Sequence, residues 1–284
     1  GVMINLALLA YFKYADFFIG TVNLALKDKI PFLNLALPLA ISFFTFQQIA
    51  FLVDSYRKET EEFSFTDYAL FVTFFPQLIA GPIVHHKEMI PQFKDRSNQV
   101  LNYGNIATGL FILTLGLFKK VVIADTFAGW ATPGFDEAMS LTFLEGWAVS
   151  LSYTFQLYFD FSGYTDMAIG VALLFNIRLP INFDSPYKAL SISEFWRRWH
   201  ITLGRFFKDC IYIPLGGNRE GDGATYRNLL VTFLLIGLWH GQEWTFVAWG
   251  GIHGMALVAE RLWGKLNFRI PAFLSWFITF NFIN

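Results

Sequence analysis

The sequence predicts an all-α, polytopic membrane protein. Three observations carry this reading. Of its 284 residues, 55% are hydrophobic and only 15% charged, against about 25% charged in soluble domains. Uncharged apolar runs recur along the whole length, as expected of several spanning segments. One further stretch, 191–213, has the pattern of an amphipathic basic helix that lies in the membrane interface. The net charge of −1 gives no electrostatic footprint for nucleic acid. The single cysteine, Cys210, excludes an intrachain disulfide and a cysteine-based metal cluster, and reads as packing.

Taken in order, residues 1–26 are apolar but interrupted by Lys13 and Asp16. A charge at the centre of a spanning helix costs about 2.5–3.5 kcal/mol, so this is a weak span with Lys13 near an interface. Residues 30–53 carry no charge and predict a full span, with Pro31 at its start and a kink at Pro38. Residues 54–66 form a charged connection. The run 68–86 contains two prolines and Gly81, and predicts a helix ending near Ala80 followed by a structured loop. Residues 97–118 form a span stopped by Lys119 and Lys120, and 126–141 read as a loop. Residues 142–159 predict a further span, with Glu145 near one end. In 158–177, Asp160 and Asp166 interrupt an apolar run. Either they face a cavity or partner, or Asp160 and Gly163 mark a turn between two helices.

Residues 178–187 read as a loop. Ser191, with Glu194 three positions later, matches a capping box. From there Ile192, Phe195, Trp196, Trp199, Leu203, Phe206, Phe207 and Cys210 fall in one stripe about 120° wide, opposite Glu194, Arg197, Arg198, Arg205, Lys208 and Asp209. His200 sits at the stripe's edge. The helix must end by Pro214, and Gly216-Gly217 makes a turn. The uncharged runs 228–242 and 244–259 are shorter than the roughly 20 residues of a span. With glycines near the middle of the second, they suggest re-entrant or tilted helices around an internal cavity. Residues 270–284 begin another span. Gly1 opens inside an apolar run and Asn284 closes one, which reads as a fragment lacking both natural termini.

Five histidines are candidates for chemistry. His85 and His86 sit in a loop, and His253 lies among small residues that permit close helix packing. His240 ends an apolar segment between Trp239 and Gly241. A buried imidazole there stays neutral and able to accept a proton, as a general base acting on a hydroxyl requires. No HExxH, GxSxG, GxxxxGK[ST] or GxGxxG is present, so metal, serine-hydrolase and nucleotide-dependent chemistry are not indicated.

The segments 74–93 (FFPQLIAGPIVHHKEMIPQF), 158–170 (YFDFSGYTDMAIG), 181–219 and 237–254 (GLWHGQEWTFVAWGGIHG) resemble, in order and approximate spacing, the membrane-bound O-acyltransferases. Within them the resemblance is greatest to the bacterial branch that O-acetylates alginate and related exopolysaccharides, and more distant to the teichoic acid D-alanylation branch. The resemblance implies a single domain over 1–284: a ring of spanning and re-entrant helices around a central tunnel. It implies His240 as catalytic base and His200 as a second family position, histidine in this branch and asparagine in many others. Arg197, Arg198, Trp199, Trp239, Asp160 and Asp166 are candidate substrate-binding residues.

The reaction implied is transfer of an acyl group, acetyl above all, toward hydroxyls of an extracytoplasmic polysaccharide. The donor is acetyl-CoA or another acyl thioester, and no bound cofactor or metal is expected. The partners implied are the lipid bilayer, a periplasmic or extracellular acetyl-transfer protein and the polysaccharide acceptor, at the bacterial inner membrane. A secondary transporter would share the broken helices and intramembrane charges, but no internal repeat is visible. A non-catalytic scaffold of a polysaccharide-modification complex would not need the WHG histidine.

Overall fold

The computed structural model describes residues 1–60, 64–266, 268 and 270–284, and its secondary structure is helical throughout. Among the described residues, two helices are long and apolar enough to cross a membrane: α1 (Val2–Asn23) and α5 (Tyr103–Glu137). The chain divides into two compact units, one of residues 1–72 and 203–270, the other of 73–202 and 271–284. Glu61, Glu62 and Phe63 of the charged connection lie outside the described residues.

In the first unit, α1 contains a π-helical turn at Ala10–Tyr14. The uncharged run 30–53 is not one span. Its helix, α2, covers only Ile41–Tyr56, and residues 24–40 are non-helical. Proline supplies the reason: Pro31 and Pro38 donate no backbone hydrogen bond and disfavour helix at the residue before them. Ala40 enters α2 in the left-handed region. A helix α3 (Phe65–Thr73) follows.

The unit closes with two antiparallel helices, α9 (Asp222–His240) and α10 (Trp244–Gly264). Both expectations of short, glycine-broken segments are corrected here. The helix α9 starts at Asp222, six residues before the uncharged run, and α10 runs unbroken through Gly250, Gly251 and Gly254. Gly250 instead serves close approach, together with Gly237 of α9: a Cβ on Gly237 would strike the Phe246 carbonyl, and one on Gly250 the Phe233 carbonyl.

In the second unit, the helix expected to run to near Ala80 is broken at Phe74; a short helix, Phe75–Leu78, with Pro76 in its first turn, then precedes the expected loop at Gly81. His85 caps α4 (His86–Lys94), its side chain accepting from the Lys87 N–H at 3.3 Å. The helix α5 does not stop at Lys119-Lys120. It continues through π-helical turns to Glu137, so most of the expected loop at 126–141 is helix. The lysines are tolerated because each finds a carboxylate: Lys119 pairs with Asp166 at 2.5 Å, and Lys120 with Asp125 at 2.6 Å and Asp160 at 2.7 Å.

The helix α6 (Phe143–Leu174) opens on a capping box formed by Thr142 and Glu145 and runs for 32 residues. There is no turn at Asp160 or Gly163. At 1.5 Å per residue α6 is about 48 Å long, more than the roughly 30 Å hydrocarbon core.

Helices α5 and α6 approach through two reciprocal glycine pairs. A Cβ on Gly109 would lie 2.7 Å from the Gly170 carbonyl oxygen, and one on Gly116 would lie 2.5 Å from that of Gly163. Away from this contact, Phe111, Phe118, Val121 and Val122 of α5 are exposed, the apolar outer surface that suits lipid. The unit is completed by α11 (Ala272–Ile283), held by a Trp276 indole N–H donating to the Tyr187 carbonyl at 2.9 Å.

Candidate functional site

The interfacial helix expected over 191–213 is interrupted at its most informative residue. Helix α7 (Ile192–Arg198) ends at Trp199, and α8 begins at Ile201 and ends at Phe207. Between them His200 takes a left-handed backbone, φ 46°. Several bonds hold it there. The Asp184 N–H donates to the Arg198 carbonyl at 3.0 Å, and the Ile201 N–H to the Asn182 carbonyl at 3.0 Å. The buried Asn182 side chain also accepts from the Thr202 hydroxyl at 2.9 Å. Histidine and asparagine are enriched among non-glycine residues in this region. The asparagine that the resemblance puts at this position in other branches therefore suits the same backbone.

The His200 side chain is 2% exposed and meets Phe161 of α6 edge-on, with centroids 4.8 Å apart. Trp199, proposed as a substrate contact, is core: it stacks on Phe195 and packs against Phe183, Tyr187 and Tyr158. Arg198 is engaged locally, bonding Glu194 at 2.7 and 3.0 Å and the Asp184 carbonyl at 3.0 Å. The Ser191–Glu194 cap is close to that expected, but the Glu194 carboxylate accepts from the Leu190 N–H. That backbone bond, followed by Arg198, holds its pKa below the usual carboxylate range. Arg197 is exposed. Asp160 and Asp166 are ion-paired with Lys120 and Lys119, which answers their cost in an apolar helix.

His240 belongs to the other unit, as the last residue of α9. The final carbonyls of a helix have no partner within it. Here α1 supplies them: the Tyr14 hydroxyl donates to the Leu238 carbonyl at 2.9 Å, and the Lys13 ammonium donates to the Trp239 carbonyl. A cation at a helix C-terminus is also favoured by the helix dipole. The π-helical turn of α1 contains both residues, and such turns are frequent at functional sites.

Trp239 is buried, stacked on Phe46 and edge-on to Phe43. The His240 ring lies edge-on to Trp239 (4.8 Å) and Trp249 (5.1 Å), and Trp249 in turn contacts His253 (4.7 Å). The sequence predicts a buried imidazole at His240. It is exposed instead, whereas His200 is buried. An open cavity of about 470 Å³ is formed by the residues after His240, Gln242 to Trp244, together with Asp16, Phe17 and Phe32 of the same unit. His240 itself does not line this cavity; its ring is held by the two tryptophans and is otherwise exposed.

Sequence reasoning missed Lys13, Tyr14, Trp249 and Asn182. The one available signal was Lys13 itself, a charge inside an apolar run that has to find a partner.

The described residues are helical, with two helices apolar enough to cross a membrane and a histidine at a helix end whose last carbonyls are bonded, as in a membrane protein with a polar site. The family model described as MBOAT, membrane-bound O-acyltransferase family, matches residues 30–284. The chain belongs to the membrane-bound O-acyltransferase family. It is 58% identical over its whole length to a peptidoglycan O-acetyltransferase of Helicobacter pylori, covering 59% of that protein. It is 44% identical over 99% of its length to a protein of Pseudomonas aeruginosa named probable alginate O-acetylase AlgI, covering 54% of it. It is 30% identical over 79% of its length to a teichoic acid D-alanyltransferase of Streptococcus thermophilus, covering 57% of it. The chain thus spans somewhat more than half the length of the curated relatives it matches.

Proposed function

We propose that this chain is the membrane core of a multi-pass bacterial inner-membrane O-acetyltransferase. It passes acetyl from a cytoplasmic thioester, acetyl-CoA or a thioester-bearing protein, toward hydroxyls of an extracytoplasmic polysaccharide. His240 is the general base. It takes the proton of the acceptor hydroxyl as that oxygen attacks the acetyl carbonyl carbon. The thioester C–S bond breaks, the thiolate leaves and is protonated, and the ester remains on the acceptor. Such base catalysis contributes about 10²–10⁴-fold.

The observation that carries this reading is the locking of the last turn of α9 by Lys13 and Tyr14, which positions His240 while one side of it stays open. Named relatives that acetylate peptidoglycan or alginate support acetyl as the group and a glycan as its destination. The immediate acceptor is either the sugar or a hydroxyl on a periplasmic partner that carries acetyl onward. His200, buried against α6, acts in positioning the donor.

The test is mass spectrometry of envelope polysaccharide from a deletion strain complemented with wild type or His240→Ala, with protein abundance measured in parallel. Wild type should restore an acetyl mass and the variant should not. Acetylation by the variant at wild-type level would remove His240 from the chemistry. Unchanged polysaccharide in the deletion strain would remove the activity.

A further inference from the structure

A second polar site lies in the first unit, away from His240. A cavity of about 270 Å³ is lined by Lys208, Tyr212, Asn218, Arg219 and Arg261 and by the Gly216-Gly217 turn. Among the described residues, none of its three cations forms a salt bridge. Glu220 has its carboxyl beside Gly216 but does not line the cavity. The Tyr212 hydroxyl is buried and has no hydrogen-bond partner among the described residues.

The wall is built rather than incidental. Gly216 and Gly217 both have positive φ, a conformation open to glycine at little cost. The fully buried Asn228 donates to the Leu215 and Gly217 carbonyls, each at 2.9 Å. Arg227 donates to the Asn228 side-chain oxygen at 3.1 and 3.2 Å, which fixes the amide's orientation. Asn228 lies roughly 18 Å from His240 along α9 at 1.5 Å per residue. The cavity is therefore not part of the proton-transfer site.

We propose that this cavity binds a phosphate group. Three cations line it, the unpartnered Tyr212 hydroxyl lies buried in its wall, and no carboxylate is in its lining, which is the chemistry of charge-assisted oxyanion recognition. A phospholipid headgroup and a soluble phosphate-bearing thioester donor offer the same oxyanion. The site does not depend on the acyl-transfer reading, because a lipid headgroup can occupy it whatever the protein catalyses.

The test uses purified full-length protein with two probes: phosphatidylglycerol in phosphatidylcholine nanodiscs, and adenosine 3′,5′-bisphosphate in detergent. The triple variant Lys208→Gln, Arg219→Gln, Arg261→Gln is compared with a charge-matched control, Lys27→Gln, Lys29→Gln, Lys58→Gln. The site predicts that the first weakens at least one probe by about tenfold or more and the second weakens neither. Loss confined to phosphatidylglycerol identifies a lipid site, and loss confined to the bisphosphate identifies a donor site. Tyr212→Phe, which removes only the hydroxyl, should weaken the same probe. Amine labelling of the wild type gives a readout without substitution: the bound probe should protect Lys208 but not Lys27 or Lys29. Equal weakening by both triple variants, binding of neither probe, or no protection of Lys208 overturns the proposal.

Discussion

At the scale of single residues, the backbone of His200 makes a prediction separable from its chemistry. A β-branched residue in the left-handed region is strained by about 1–3 kcal/mol, whereas asparagine tolerates it. His200→Asn should therefore keep wild-type thermal stability in detergent, and His200→Val should lose about that amount. Equal stability of the two would show that the left-handed turn is not enforced. Lys13→Met tests the locking of α9. It removes the ammonium that bonds the Trp239 carbonyl while keeping the apolar stem. Small displacements of a catalytic group are costly, so kcat should fall about tenfold or more with KM for the acyl donor little changed. A fall confined to KM would contradict a positioning role.

Cys210 is half-buried, and burial pushes its thiol up to about 11, with Asp209 adding to the shift. A raised thiol pKa keeps the group protonated at neutral pH, with reactivity appearing only as pH rises toward that value. Alkylation at pH 8 should be about two orders of magnitude slower than for a free thiol of pKa about 8.5. A rate near the free-thiol value would place Cys210 in the open.

At the scale of elements, small residues decide how helices meet. Helices α5 and α6 touch through Gly109–Gly170 and Gly116–Gly163, where an added methyl would overlap backbone. Gly116→Ala and Gly163→Ala should each lower stability by about 1–3 kcal/mol. The double variant should cost less than the sum, because both open the same contact. Full additivity would mean the pairs do not form.

These glycines were present in the sequence but could not be paired there, since pairing depends on which helices are neighbours. The glycines of α10 were visible too and were read as breakers. Their use as contact points follows only once α9 is known to lie alongside. Residues 30–53 failed for a related reason. Hydropathy registers the absence of charge, whereas Pro31 and Pro38 act on backbone geometry. Lys119 and Lys120 looked like the end of a span because their partners, Asp160 and Asp166, come some forty residues later.

At the scale of the whole chain, composition and the order of its motifs were enough for the helical class and the family. They also singled out His240 and His200. They did not show what holds His240, because Lys13 and Tyr14 lie more than two hundred residues earlier. They also made substrate contacts of Trp199 and Arg198, which the fold uses for packing and for a helix cap. The sequence could name His240 as a candidate, but not the groups that hold the end of its helix.

The central claim is that His240 accepts the acceptor's proton. Its most direct measurement is single-turnover acetyl transfer by the purified full-length protein from radiolabelled acetyl-CoA to a glycan or partner-protein hydroxyl, in wild type and His240→Ala of matched thermal stability. The account predicts a rate about 10²–10⁴-fold lower in the variant. A variant that transfers acetyl at the wild-type rate would contradict it.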